Sequence, residues 1–153
     1  MKSDNPIKHF ALAFAIALLI YFVFYSGIEH RRTRKRPWQV TFVTSTNGEP
    51  RILINQQTLR VENVEIVFEG EVVPLTNNPT TIQFSQARQV PYEVPFGKCV
   101  FMDPTFLPGT LTFQFFGHEI ELLPRVMIID HREQPWRSSN IITLSKVKAG
   151  KGN

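Results

Sequence analysis

Apolar and polar positions follow two different patterns along this chain, and the change falls near residue 37. From Phe10 to Ile28, "FALAFAIALLIYFVFYSGI", there are 19 residues with no charge and no polar face. As a helix this stretch spans about 28 Å, close to the hydrocarbon thickness of a bilayer. A secretory signal has an apolar core of about 7–15 residues and leaves through a small-x-small site. The exit "FYSGIEH" offers no such site. The run predicts an uncleaved transmembrane helix over 10–28, between a polar tail (1–9) and a hinge (29–37).

After residue 37 the pattern alternates. "VENVEIVFEG" puts Val64, Ile66 and Phe68 on one face and Asn63, Glu65 and Val67 on the other. Ile82 and Phe84 alternate with Thr81, Gln83 and Ser85 in the same way. Period two is the mark of half-buried strands. "WQVTFVTST" and "RILINQQ" flank Asn47-Gly48, a hairpin signal. "TLTFQFFGHEIELLP" reads as a second hairpin turning at Gly117-His118. That register sets Phe116 opposite Glu119, Phe115 opposite Ile120, Gln114 opposite Glu121 and Phe113 opposite Leu122. "RVMIID" and "NIITL" are the last predicted strands.

Ten of the eleven prolines lie from Pro37 onward, where they break helices and bound short strands. The expected fold is an all-β antiparallel sandwich of about seven to nine strands over residues 38–145. A disordered basic tail is expected over 146–153. The segment 89–109 fits no regular ladder. It reads as a long crossover whose aromatics plug the core edge, or as a proline-stiffened loop that binds a partner.

Charge changes the picture of the ends. The net charge of +4 resolves into +1 for residues 1–28, +4 for 29–36, −4 for 37–145 and +3 for the tail. The basic character therefore lies outside the predicted domain, which argues against nucleic-acid binding. Arg31, Arg32, Arg34, Lys35 and Arg36 end the apolar span as a juxtamembrane stop that faces lipid headgroups. Trp38 follows them. It is a membrane-interface candidate and equally the first inward residue of a strand. Short-flank charges favour a cytoplasmic β domain. The extracytoplasmic side stays open, since small anchored sandwiches often lie there.

Candidate chemistry is sparse. Cys99 is the single cysteine and reads as a buried thiol. His9 and His30 bracket the span, His118 falls in the predicted turn, and His131 follows a strand. No short ligand spacing of a zinc site links them, and there is no Gly-rich phosphate loop. No cofactor, metal or catalytic residue is expected.

Tyr92, Phe96, Phe106, Trp136 and Arg137 are the candidate partner-binding residues, since aromatics and arginine dominate interface hot spots. Ala11/Ala15 and Ala13/Ala17 place small residues four apart in the anchor, which permits close helix packing. The expectation is a non-enzymatic, membrane-anchored accessory or scaffolding subunit whose partners are the bilayer and other membrane subunits. The alternative is a tethered binding domain for a small molecule, glycan or metal.

Overall fold

The computed structural model describes residues 6–33, 35–75 and 78–147. The chain divides into two compact units, Met1–Arg34 and Lys35–Asn153.

The first unit holds one helix, α1 (Pro6–Thr33). Proline suits the first helical position, where its missing N–H has no helical partner in any case. The helix extends past the apolar run at both ends. Nothing between Ile28 and Thr33 breaks it, and Arg31 in its last turn complements the dipole. Phe10, Phe14, Leu19, Tyr21 and Phe24 are all exposed, so apolar side chains cover the whole circumference. It is long and apolar enough to cross a membrane.

The second unit is an all-β sandwich of two sheets. The first sheet comprises β1 (Gln39–Thr44), β2 (Pro50–Gln56), β3 (Val61–Glu69), β4 (Thr80–Gln83) and β11 (Ile141–Ser145). Its order is β11-β3-β2-β1-β4. All its pairs are antiparallel except β11, which runs parallel to β3. The second sheet comprises β5 (Tyr92–Val94), β6 (Gly97–Asp103), β7 (Thr110–Phe115), β8 (His118–Leu122), β9 (Val126–Ile129) and β10 (Arg132–Pro135). It is an antiparallel meander in which each strand pairs with the next. One core lies between the sheets. Phe42 and Phe68 of the first sheet meet Phe115 of the second edge to face, with centroids 5.9 and 5.8 Å apart.

The alternation read from the sequence is the core face. Val64, Ile66 and Phe68 are buried, as is Phe84, with Ile82 packed against the core. The Asn47-Gly48 turn forms: Gly48 N–H donates to Ser45 O at 2.9 Å, with Gly48 at φ 83°.

Three local expectations give way. Residues 89–109 are not one irregular crossover, because they contain β5, its hairpin and β6. Second, the β7–β8 hairpin turns at Phe116-Gly117, both with positive φ, so Phe115 pairs with His118 and Phe113 with Ile120. That register lies two residues from the expected one. A two-residue shift keeps every side chain on its face, so the alternation permits both. Third, β10 adds a strand beyond the predicted set, and eleven strands form among the described residues.

Candidate functional site

The sandwich has two ends. The chain enters at one, beside the β6–β7 and β8–β9 loops, and Trp38 closes it. Its ring is 0% exposed, so the indole occupies the core and not a headgroup layer. Its Nε1–H donates to Gly109 O at 3.0 Å. Trp136 lies against it, with ring centroids 5.1 Å apart, and donates its own Nε1–H to Leu123 O at 2.8 Å. Each indole thus satisfies a loop carbonyl that no strand partner reaches. Gly109 sits at φ 76°, and a Cβ there would lie 2.2 Å from Asp103 O, so the loop admits only glycine at this point.

That loop carries Phe106, 66% exposed. Thr105 N–H donates to an Asp103 carboxylate oxygen at 3.0 Å, and the indole of Trp38 fixes Gly109. The Thr105 hydroxyl and N–H hold the Asp103 carboxyl below its ordinary range. Phe106 is therefore an exposed ring on a loop fixed at both sides.

The opposite end is closed by hairpin tips. Phe96, at φ 70°, stacks its edge against Phe42 at 5.6 Å. Phe116, at φ 51°, packs on Phe68 at 5.1 Å. His118 lies beside them, 7% exposed. Its Nδ1 meets Asp130 Oδ2 at 2.6 Å and its Nε2 meets Ser145 O at 3.2 Å. A carboxylate and a backbone carbonyl thus lie at the two ring nitrogens. Asp130 also accepts from Glu119 N–H at 3.0 Å. Burial pushes the Asp130 carboxyl up. The hydrogen bonds from His118 and Glu119 N–H outweigh that, helped by the charges of His118 and His131, and hold it below its ordinary range. This latch joins the β8 and β9 ends to β11 of the other sheet.

No protein-family model, curated protein or solved structure matches this chain. Its candidate residues are therefore weighed on their own geometry.

Of the five partner-binding candidates, Phe106 and Arg137 are exposed. Tyr92, Phe96 and Trp136 are half-buried and packed against the core. The Tyr92 hydroxyl donates to the Met102 sulfur at 3.6 Å, and Arg88 lies 5.5 Å from its ring centroid. Burial and the neighbouring Cys99 push the Tyr92 hydroxyl up. Burial also pushes the Cys99 thiol up. It lies 0% exposed, with Sγ–H donating to Phe101 O at 3.4 Å. A thiol kept protonated in this way is a poor nucleophile. Among the described residues, no three His, Cys, Asp or Glu side chains converge to hold a metal.

Of the basic run, Arg31 is exposed at the end of α1, and Lys35 is exposed in the second unit. Arg36 N–H donates to Thr58 Oγ1 at 3.2 Å, and its guanidinium donates to Gln57 Oε1. Gln56 Nε2 donates to Arg36 O. Arg34, the Arg32 side chain and the tail from residue 148 lie outside the described residues. Sequence reasoning placed His118 in an exposed turn and missed the latch.

Proposed function

We propose that this chain is a single-pass membrane protein whose sandwich is a non-enzymatic docking module, an accessory or scaffolding subunit of a membrane protein complex. The observation that carries the reading is Phe106: a large ring left in solvent on a loop whose two sides are fixed. An exposed aromatic on a preordered backbone binds with little ordering cost. Arg137 follows Trp136 at the same end of the sandwich and adds a cation to that surface. Cys99, His118 and Asp130, the residues with the chemistry-bearing side chains, are engaged in holding the sandwich together.

On this reading α1 spans the bilayer and the basic run through Arg36 keeps the sandwich on the cytoplasmic side. A crosslinkable residue at position 106, used in native membranes before mild detergent extraction, is expected to trap one stoichiometric partner. With the crosslinkable residue moved to the exposed position 137, Phe106→Asp is expected to abolish that product without moving the melting midpoint. A cysteine placed in the 146–153 tail is expected to react with an impermeant maleimide only after permeabilisation. A chain that traps nothing and migrates alone in several detergents would overturn the docking role.

A further inference from the structure

We propose that two copies of this chain pair edge to edge through β11, antiparallel about Thr143, to join their first sheets into one. This goes beyond the docking role and rests only on the membrane-anchor part of that reading.

Each sheet ends in two edge strands, and exposed edges invite pairing unless they are guarded. Three of the four carry guards. β10 is four residues long and contains Arg132, Glu133 and Pro135. β5 is three residues long and lies between Pro91 and Pro95. β4 is four residues long and follows Pro79. β11 is "IITLS", with no charge, no proline and no bulge in its pairing with β3. Among the described residues no strand lies on its other side. Ile141 is 64% exposed.

The backbone parity fixes what this edge offers. Asn140 O accepts from Glu65 N–H at 2.9 Å, and Lys146 N–H donates to Glu69 O at 3.2 Å. Even-numbered residues therefore bond to β3. By alternation, the N–H and C=O groups of Ile141 and Thr143 and the N–H of Ser145 point off the free edge, while the Ser145 carbonyl already meets His118 Nε2 at 3.2 Å and has one lone pair left for a second donor. In an antiparallel pair centred on Thr143, these residues are the hydrogen-bonded positions: Thr143 faces Thr143 of the second copy, and Ile141 faces its Ser145. No charge meets a like charge.

The side chains favour the same partner. Beside β11 the sandwich is open in a groove of about 440 Å³, where Ile142 and Leu144 face Ile129 and Gln134, with Asp130 and Arg132 also lining it. Ile142 and Leu144 are only partly buried. In the proposed register, Ile142 of one copy is opposite Leu144 of the other. The two half-open seams then face each other and close on their own apolar residues. A foreign strand would need that same uncharged alternation, whereas a second copy has it by construction. A five-residue edge is a small interface, but anchoring both copies in one membrane raises their effective concentration. The four-residue alanine spacing of the anchor is compatible with two helices side by side.

The test uses the full chain, purified and reconstituted into vesicles at high lipid dilution. Paired Thr143 residues place their Cα atoms about 5.5 Å apart, within disulfide range. Oxidised Thr143→Cys chains are expected to form a disulfide dimer several-fold more abundant than Glu93→Cys chains, which report random collision. Adding Ile141→Lys should suppress the dimer and leave the melting midpoint unchanged, because Ile141 is exposed. Thr143→Pro is the second variant: it removes an N–H that the monomer does not use, so it should also leave a folded chain that no longer pairs. Thr143→Cys crosslinking no better than Glu93→Cys, or dimers undiminished by Ile141→Lys, would overturn self-pairing.

Discussion

The two ends of the sandwich are closed by different physics. At the chain-entry end, two tilted indoles in contact fill space and donate hydrogen bonds to the carbonyls of Gly109 and Leu123. At the other, an imidazole bridges a carboxylate and a carbonyl beside packed phenyl rings. The first closure is mostly apolar area and is insensitive to pH. The second is mostly polar and contains the Asp130 carboxyl, which titrates below its ordinary range. Burial supplies the larger share of stability per residue, so the entry end should be the harder to lose.

The largest expected effect is at that end. Trp38→Ala should lower the unfolding free energy by about 3–5 kcal/mol, the range for deleting a buried aromatic. It also strands the Gly109 carbonyl. A denaturant midpoint that barely moves would reverse the ranking of the two ends. His118→Ala comes next, at about 1–3 kcal/mol, since it removes the side chain at the Ser145 carbonyl and leaves Asp130 with only the Glu119 N–H. An equal loss in both variants would mean that the latch matters as much as the aromatic closure.

The smallest effect is on pH dependence. The Asp130 carboxyl titrates below its ordinary range in the folded chain. Its contribution is thus fully present above about pH 4 and is lost as pH falls through the lower, folded value. The side chain is 45% exposed, so solvent screening limits the contribution to under about 1 kcal/mol. Asp130→Asn should flatten that part of the acid limb of a stability-versus-pH curve. An acid limb identical in both chains would remove Asp130 from the account.

The same contrast explains what was legible in the sequence. The apolar run, the alternation of β3 and the turn at Gly48 are local signals, and each appears in the fold. The missing strands lack such signals. β10 has no apolar residue, and β5 is three residues between prolines. In β6 the register shifts between Cys99 and Phe101, which breaks period two. The hairpin at Phe116-Gly117 requires positive φ at a phenylalanine, where turn chemistry favours Gly, Asn or Asp. The burial of Phe116 against Phe68 holds it there. The partners of His118 lie 12 and 27 residues away, a separation that leaves no mark on the sequence pattern. Exposed positions such as Phe106 were named as candidates, but their exposure depends on how a loop closes.

The parallel pairing of β11 with β3 has a consequence for biosynthesis. Ser145 and Glu69 lie 76 residues apart, while the six-stranded meander is built from neighbours in sequence. The meander can form hairpin by hairpin as it leaves the ribosome. β3 must wait, with one edge bare, until Ile141–Ser145 have been made. The nascent protein therefore passes through a stage in which its first sheet lacks its final strand, and a premature stop before residue 141 would leave it there permanently.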